Sequence, residues 1–432
     1  MRQKHPTGQK CRAGRAGPRV TRRALLLGAG AAALGAAGLW LRRLGGPGGE
    51  APAAPDAGAP PAGEWRAAWI SYIELQGMDY TSAEAFRAGA AAMMDRCAGL
   101  GLNTVIVQVR PFGDALYPSA LFPWSHICTG VQGVSPGFDP LDILLTEAHS
   151  RGLSFEGWIN PYRLQASASS PGTLAADNLA NTHPDWVAAA GGGLYLNPAI
   201  PEAAAYVVEG VAELVRTYPV DGVHFDDYFY PTTDPAIDAA RFAASGAADL
   251  AEWRRQNVTA LVKAAHDAVK AADPTLRFGV SPQGNPDNDM SQQYSDVRGW
   301  LAAGSEDAVV DYLCPQLYWG YGYTLSNGSR RFAYENILAE WLAMPRGSAA
   351  LYVGLGAYRI GEGDGGSNGD SVSGWSTGRA LADQVGTLRA AGAGGYALYR
   401  YGSLFQNTAW PQLAEAERAA LTAANAAAGP SA

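Results

Sequence analysis

Two adjacent carboxylates stand at the end of a short apolar run in the middle of the chain. Asp226 and Asp227 follow Val223-His224-Phe225, and aromatic residues come directly after the pair. Cleavage of a glycosidic bond needs one carboxyl group that protonates the leaving oxygen and a second group that serves as base, nucleophile or stabiliser of the oxocarbenium-like state. The pair therefore predicts acid chemistry at the end of a buried strand.

Other interpretations of the pair remain open at this point. Aspartate also favours turns and helix N-caps, which commonly follow a strand. Metal binding is less favoured, because the histidines are scattered and His224 has no second histidine at ligand spacing. Adjacent residues on a strand point to opposite faces, so both carboxyl groups reach one pocket only if the strand ends between them. We predict no metal site and no cofactor.

Amides, arginines and aromatic residues stand at the other predicted strand ends. Amides hydrogen-bond hydroxyl groups and aromatic rings pack on the apolar face of a sugar, so this lining favours a neutral polyhydroxylated ligand. Residues 318–323 are aromatic but interrupted by glycine, which favours ligand contact over a buried strand. The predicted substrate-binding residues are Gln108, Arg110, Trp158, Asn160, Tyr162, Arg163, Tyr228, Gln283, Gln316, Tyr318, Trp319, Tyr358 and Arg400.

An alternation of strands and helices must position these residues. Eight short apolar segments, the first at 64–71 and the last at 395–399, alternate with segments that have apolar residues at helical spacing. The alternation predicts an α/β fold, the (β/α)8 TIM barrel, whose strands are buried on both faces. The alternative is a doubly wound open sheet. Its nucleotide-binding form is not favoured, because no glycine-rich phosphate loop opens a helix after any strand.

The longest connections follow strands, at 111–138, 161–201, 228–249 and 359–374. Active sites of such barrels lie on the face where the strands end, so long βα loops predict a substrate groove there. Helical spacing predicts outer helices that include 83–99, 202–218, 250–271 and 291–303.

Charge is distributed unevenly along the 432 residues. Ten of the 32 basic residues lie at or before Arg43, which leaves 22 basic against 38 acidic residues from Glu64 onward, a net charge of −16. Non-specific nucleic-acid binding requires a basic surface, so this acidic region argues against it. We expect a monomer whose partner is a glycan substrate.

The N-terminal region predicts export. Arg22 and Arg23 precede an apolar run at 24–40, a pattern that resembles a twin-arginine signal, with an ordinary secretory signal as the alternative. The run is near the lower length limit for crossing a bilayer, so residues 1–43 are predicted to be an export signal or a membrane anchor. Residues 44–63 form a Pro/Ala/Gly-rich flexible linker, and 64–432 hold the barrel and a C-terminal helix. The expected location is periplasmic or extracellular.

Three motifs, at 158–163, 221–231 and 311–319, resemble the glycosyl-hydrolase-like family 10. That family includes an exported bacterial enzyme that cleaves peptide-free peptidoglycan glycans, and the resemblance covers roughly residues 64–402. It implies a glycoside hydrolase acting on a cell-wall amino-sugar polymer, with peptidoglycan glycan strands as the expected substrate. The chain lacks a lipobox cysteine, so the resemblance does not imply lipid anchoring.

The second motif is also similar to the chitinase pattern Asp-Gly-x-Asp-x-Asp-x-Glu. Asp221, Gly222 and Asp226 match it, whereas His224 replaces the middle Asp and Tyr228 stands where chitinases have their proton donor. Acid catalysis from position 228 is therefore excluded, and the donor must come from elsewhere.

The predicted catalytic residues are Asp226, Asp227 and Glu156. Asp226 has the strongest support, because it fits both the strand register and the chitinase-like pattern. Asp227 and Glu156 are the candidates for the proton donor, and the resemblance leaves the role of Glu156 open. The alternative is a non-catalytic carbohydrate-binding barrel, since a fold does not imply a function. A metal-dependent hydrolase such as a deacetylase is a third interpretation.

Overall fold

Parallel strands and outer helices alternate through the part of the chain that the structure describes. The structure is a computed structural model and describes residues 63–367 and 371–426. The predicted export segment at 1–43 and, apart from Gly63, the predicted linker at 44–63 lie outside the described residues. Within the two described ranges, no helix is long and apolar enough to cross a bilayer.

Nine of the strands form one parallel barrel sheet. The strands in the described ranges are β1 (Trp65–Ile70), β2 (Thr104–Arg110), β3 (Ser154–Ile159), β4 (Arg163–Gln165), β5 (Val187–Ala190), β6 (Gly193–Leu196), β7 (Gly222–Phe225), β8 (Arg277–Val280), β9 (Tyr312–Leu313), β10 (Ala350–Leu351), β11 (Val353–Gly356) and β12 (Gly395–Tyr399). The order in the barrel is β10, β9, β8, β7, β3, β2, β1, β12 and β11.

Two of the nine strands occupy one position of the barrel. β10 pairs with β9 and β11 pairs with β12, and only Tyr352 separates β10 from β11. Backbone hydrogen bonds of Gly354 to Pro315 and Leu317, both 2.9 Å, link the two ends of the sheet. The predicted (β/α)8 barrel is therefore confirmed, with its seventh strand interrupted once.

Outer helices follow the barrel strands in turn. The helices of the described part are α1 (Tyr72–Gln76), α2 (Ala83–Gly99), α3 (His126–Thr129), α4 (Pro140–His149), α5 (Leu179–Thr182), α6 (Pro201–Thr217), α7 (Ala239–Ser245), α8 (Leu250–Ala272), α9 (Pro286–Asn288), α10 (Val297–Ala302), α11 (Tyr334–Leu342), α12 (Ala380–Ala390), α13 (Tyr401–Phe405) and α14 (Pro411–Ala426). Several begin at capping residues: the side chains of Ser82, Asp139 and Asp249 accept backbone N–H bonds at the starts of α2, α4 and α8.

The strands are buried on both faces, as the apolar runs predict. All seven residues of β2 are buried. Outward side chains pack against the helices in one large core, whereas Trp69, Ile106, Trp158 and Tyr312 belong to a separate cluster that fills the barrel. The barrel is therefore a packed scaffold, and only its ends are open to ligands.

Two features of the loops differ from the predictions. The predicted helix at 291–303 is broken: a π-helical turn at Asp289–Gln293 is followed by Tyr294 with a φ of 56°, and α10 starts only at Val297. Asp296 caps α10 by accepting from the Gly299 N–H at 3.0 Å, and helical spacing alone did not reveal this restart. In addition, the long loop at 161–201 contains β4, β5 and β6, which form a small antiparallel sheet.

Candidate active site

The acid pair lies at the mouth of the barrel, just beyond the end of a strand. β7 ends at Phe225, so strand alternation no longer applies to Asp226 and Asp227. Their exposed fractions are only 5% and 8%. Asp226 contacts side chains that follow or end β3, whereas Asp227 contacts Gln316, which follows β9. Both carboxyl groups therefore face the same end of the barrel.

Asp226 is surrounded by hydrogen-bond donors. Its Oδ2 accepts from the Trp158 indole Nε1 at 3.3 Å and from the amide of Asn160, and its Oδ1 accepts from the Tyr228 backbone N–H at 3.3 Å. These contacts stabilise the ionised form. Burial, followed by the neighbouring charge of Asp227, nevertheless raises the pKa of Asp226 to about 7, although Arg163 opposes the shift.

Asp227 receives fewer donors within the structure. Its Oδ1 accepts from Gln316 Nε2 at 3.1 Å, and the same amide group donates to the Ser281 carbonyl at 3.0 Å. Burial raises the pKa of Asp227, and the hydrogen bonds from Gln316 and Gln283 oppose that shift. Two adjacent buried carboxyl groups with raised pKa values titrate together, so the loss of a proton from one depends on the charge of the other.

Asn160 has a fixed orientation because both ends of its amide are engaged. Its Oδ1 accepts from Arg163 Nη2 at 2.9 Å and from the amide of Gln108, whose own Oε1 accepts from the Tyr72 N–H at 2.9 Å. The Nδ2 group of Asn160 must then point to Asp226. Gln108, Asn160 and Arg163 therefore form one hydrogen-bond network with Asp226.

Aromatic side chains occupy the opposite side of the mouth. Tyr318 stacks on Tyr399 with ring centroids 5.5 Å apart, and Tyr358 meets Tyr318 edge-on at 5.5 Å. Trp319 lies further out, stacked on Phe332 at 5.0 Å. Tyr228 is 52% exposed beside the acids. These exposed and half-buried rings provide surfaces on which a sugar ring could pack.

Arg400 is predicted to bind substrate but is engaged in an ion pair. Its guanidinium contacts the buried carboxylate of Glu74, which also accepts from the N–H groups of Ser71 and Gly402 at 2.9 Å each. This pair joins the end of β1 to the segment after β12. Arg400 therefore lies at the mouth with its charge already balanced.

Two predicted binding residues do not reach the mouth. A β-bulge in β2 shifts the register, so that Gln108 pairs with Trp158 but Arg110 pairs with Ile159. Arg110 thereby turns outward, where its guanidinium lies 4.2 Å from the Phe122 ring and packs against α6 at Gly210. Tyr162 is fully buried in the outer core. Neither residue belongs to the site that the structure assembles.

Glu156 lies far below the acid pair inside the barrel. It pairs with Gly222, four residues before Asp226, and at a rise of about 3.3 Å per residue this places it about 13 Å from the level of Asp226. The Tyr312 hydroxyl donates to it, and Arg277 Nη1 lies 3.7 Å away. The structure therefore does not bring Glu156 to the acids. Its contacts with Tyr312 and Arg277 indicate a structural role at the lower end of the barrel.

His224 links these two levels of the barrel. Trp69 Nε1 donates to its Nε2 at 3.2 Å, and Ser281 Oγ lies 2.9 Å from the same nitrogen. The proton of a neutral imidazole must then sit on Nδ1, which faces the Tyr312 hydroxyl at 2.8 Å. Burial, with a smaller contribution from Arg277, lowers the pKa of His224 to about 3, so the ring is neutral.

Several residues at the mouth were not singled out from the sequence. Tyr72 and Phe112 stand two residues after the ends of β1 and β2, and Tyr399 ends β12. An aromatic residue at or just beyond a strand end was the available signal. Asp289 was missed because it lies in the π-helical turn, where its Oδ1 accepts from the Gln283 N–H at 2.9 Å. Within residues 63–367 and 371–426, no group of three or more His, Cys, Asp or Glu residues could hold a metal ion.

The sequence is similar to known proteins of one family. A sequence profile of the family described as Glycosyl hydrolase-like 10 matches residues 64–367. Glycosyl hydrolase YngK of Bacillus subtilis (strain 168) is 38% identical over 323 residues, which are 69% of this chain and 61% of that protein. Glycosyl hydrolase DigH of Escherichia coli (strain K12) is 36% identical over 299 residues, 62% of this chain and 65% of that protein. The chain thus spans less than two thirds of each relative.

Solved structures with the same fold are distant in sequence. The glycoside hydrolase domain of PgaB (BpsB) from Bordetella bronchiseptica superposes with a TM-score of 0.52 at 15% identity, covering 83% of this chain and 99% of that domain. Alpha-L-fucosidase isoenzyme 2 from Paenibacillus thiaminolyticus gives a TM-score of 0.50 at 14% identity, covering 82% of this chain and 49% of the other. These likenesses show the barrel fold. Because the family profile matches well over half of the sequence, the chain belongs to the glycosyl hydrolase-like 10 family.

Proposed function

We propose that this protein is a glycoside hydrolase that cleaves a cell-wall amino-sugar polymer, with peptidoglycan glycan strands as its substrate. The observation that carries the proposal is the buried pair Asp226 and Asp227 at the mouth of the barrel, where burial raises the pKa of both carboxyl groups. The relatives named as glycosyl hydrolases support the reaction class. The basic and apolar N-terminal sequence supports export to the compartment that holds the wall, where the protein acts as a monomer.

The two acids take different roles in the proposed mechanism. Asp226 receives donors at both carboxylate oxygens, including an indole N–H that cannot accept. Although burial raises the pKa of Asp226 to about 7, these donors favour its charged form, so we assign it as the ionised member that stabilises positive charge at the sugar's anomeric carbon. Asp227 is contacted by Gln316 at one oxygen and carries the shared proton. It donates that proton to the leaving glycosidic oxygen as the bond to the anomeric carbon breaks. Water then adds to the anomeric carbon, and its proton returns to Asp227.

The lining of the mouth holds the sugar for this step. Gln316 and Gln283 position Asp227, and Asn160 positions Asp226. Tyr228, Tyr318, Trp319 and Tyr358 offer aromatic faces, which pack against the C–H face of a pyranose while its hydroxyl groups bond to the amides. No cofactor is needed for proton transfer between two carboxyl groups and a glycosidic bond.

Substitution of the acids tests the proposal. Asp226→Asn and Asp227→Asn are incubated with peptide-free glycan strands, and new reducing ends and products are measured by mass spectrometry. Both variants should lose at least about 100-fold in rate. Asp227→Asn should recover on an aryl glycoside with a good leaving group, because such a substrate needs little protonation, whereas Asp226→Asn should not.

Asp221→Asn is the matched control. Asp221 stands at the opposite end of the same strand segment, with 44% of its side chain exposed, and should leave the rate close to that of the unaltered protein. Full activity of both acid variants would reject the assignment. Binding of glycan strands without any new reducing ends would instead support the non-catalytic carbohydrate-binding alternative.

A further inference from the structure

A third carboxyl group lies close to the acid pair and is connected to it through Gln283. Asp289 has none of its surface exposed, and its Oδ1 accepts from the Gln283 backbone N–H at 2.9 Å. Its Oδ2 has no hydrogen-bond partner among the described residues. The proposed mechanism gives this buried group no role, although it is nearer to the catalytic acids than any role in the outer core would require.

Asp289 is held in its neutral, protonated form. A fully buried carboxylate with an unpartnered oxygen would be costly, and burial accordingly raises the pKa of Asp289 well above its ordinary value. The charged groups that face it are Asp227, which follows β7 and adds to the rise, and Arg298 of α10, which opposes it. Arg298 is itself engaged, because its Nη2 donates to Asp287 at 3.1 Å. A neutral carboxyl group keeps Oδ1 as an acceptor.

Gln283 is held by its backbone and by its side chain. Its backbone forms a parallel bridge with Gln316, the residue whose amide donates to Asp227 at 3.1 Å. Its Oε1 accepts from Asn288 Nδ2 at 3.4 Å, which leaves its own Nε2 group to donate. The hydrogen bond from the Gln283 side chain lowers the pKa of Asp227. Asn288 and Asp289 together therefore fix both the backbone and the amide of Gln283.

The π-helical turn fixes the position of Asp289. The N–H of Asp289 donates to the Asn285 carbonyl at 3.2 Å, and its own carbonyl accepts from the Ser295 N–H at 2.8 Å. The N–H of Tyr294, the residue with a φ of 56°, also donates to that carbonyl. π-helical turns are rare and occur frequently at functional sites. The chain closes on Asp289 itself, so the side chain that contacts Gln283 has little freedom to move.

We propose that Asp289 is a positioning residue that, as a neutral acceptor, holds Gln283 against the proton-donating acid Asp227, and this inference rests on the proposed glycosidase function. With no exposed surface, Asp289 cannot reach the sugar, so it acts only through Gln283. A donor on Asp227 favours the ionised form of that acid. Gln283 therefore helps Asp227 to release its proton to the leaving oxygen, and Asp289 keeps Gln283 in the orientation that this requires.

A neutral acceptor and a negative charge at position 289 would have opposite effects on Asp227. As an acceptor, Asp289 keeps a donor on Asp227 and thereby lowers the pKa of Asp227. As a carboxylate, it would repel the charge of Asp227 and raise that pKa. The direction of the change after Asp289→Ala therefore distinguishes the two roles.

The test measures the pH dependence of kcat/KM on peptide-free glycan strands for the unaltered protein, Asp289→Ala and Asp289→Asn. The basic limb reports the loss of the proton from Asp227, and it should move upward by about half to one pH unit in Asp289→Ala, since the hydrogen bond from Gln283 is weakened. Asp289→Asn keeps an uncharged acceptor oxygen and should retain the profile of the unaltered protein. Asp289→Leu, which fills the site with an apolar side chain, is a second variant without the acceptor and should behave like Asp289→Ala.

A double-variant cycle shows whether the effect passes through Gln283. Gln283→Met removes the amide and should move the basic limb upward by itself, and adding Asp289→Ala to it should give no further shift. Ser291→Ala is the matched control, because Ser291 lies in the same π-helical turn and its exposed side chain donates to the Asp287 carbonyl at 2.6 Å. This variant should leave the limb in place. An unmoved or lowered limb in Asp289→Ala, the same shift in Asp289→Asn, or a full additional shift in the double variant overturns the inference.

Carbon NMR of protein with isotope-labelled aspartate provides a readout that does not depend on cleavage. The side-chain carboxyl signal of Asp227 is assigned as the one that disappears in Asp227→Asn, and its titration should move upward in Asp289→Ala but stay in place in Asp289→Asn. If the unaltered protein cleaves no glycan while the titration moves as expected, the glycosidase proposal is rejected and the positioning role of Asp289 stands. If glycan is cleaved while the titration of Asp227 is the same in Asp289→Ala, the positioning role is rejected and the glycosidase proposal stands.

Discussion

Replacement of Trp158 by phenylalanine should change the acidity of the catalytic pair with little change in its surroundings. Trp158 lies in the barrel interior with 6% of its surface exposed, and its indole N–H is one of three donors to Asp226. Phenylalanine keeps an aromatic ring in the interior cluster but removes this donor. The ionised form of Asp226 thereby loses a contact that its neutral form does not need.

The size of the effect follows from the geometry. A hydrogen bond to a charged group contributes about 1.5–3 kcal/mol, and at 3.3 Å the Trp158 bond belongs at the weak end of that range. Since one pKa unit corresponds to about 1.4 kcal/mol, the first pKa of the pair should rise by about one unit. The active form of the pair carries one proton, so the acid limb of the rate profile should move upward in pH by the same amount.

The assay is the pH dependence of kcat/KM, which reports the free enzyme. Trp65→Phe is the control, because Trp65 is also a buried indole of the interior cluster but starts β1 at the Glu156 level of the barrel, away from the acid pair. Both substitutions should lower the free energy of unfolding by less than about 3 kcal/mol. Only Trp158→Phe should shift the acid limb. An unmoved limb in Trp158→Phe, or an equal shift in both variants, would refute the proposed role of Asp226 as the ionised member.

Three further predictions concern the scaffold. Glu156→Gln should lower the free energy of unfolding measured in denaturant. The acid limb of the rate profile should stay in place, because Glu156 lies about 13 Å below the level of Asp226. Loss of activity in a fully folded variant would contradict this. Arg254→Met should lower the free energy of unfolding by about 3–5 kcal/mol, because it leaves the fully buried carboxylate of Asp238 without its ion-pair partner. Urea titration measures this change. Burial raises the pKa of Glu417 to about 7, so its folded-state pKa lies above its unfolded value. The stability that it contributes is complete below the unfolded pKa of about 4.3 and is lost as the pH rises through about 7, by up to about 4 kcal/mol. Glu417→Gln should remove this loss, which thermal melts across that pH range measure.

The barrel and the position of the acid pair follow from sequence patterns that are local. Apolar runs and helical spacing mark β7 and α6, and the place where the run stops at Phe225 puts Asp226 and Asp227 at the mouth. The side-chain direction of Arg110 could not be obtained in this way. It depends on a bulge against β3, which is a register between two strands and leaves no periodic signal in either one.

The role of Glu156 shows a second limit. Its position in β3 is correctly predicted, but its neighbours Tyr312 and Arg277 come from strands more than one hundred residues later in the chain. A carboxylate in a predicted barrel strand is compatible with either end of the barrel, and only its cross-strand pairing with Gly222 decides the level. Asp289 is similar, because it lies at the start of a π-helical turn, two residues before the helix predicted at 291–303.

The neutral histidine in the barrel has a consequence for how this protein responds to acidity. With its pKa at about 3, His224 stays uncharged from mildly acidic to alkaline conditions. It does so although it lies only two residues before Asp226, on the same strand segment. The floor of the site therefore presents a constant electrostatic potential while the acids above it titrate. Ionisations of the carboxyl groups at the site between about pH 5 and pH 8 are then seen without a signal from the His224 imidazole in this interval.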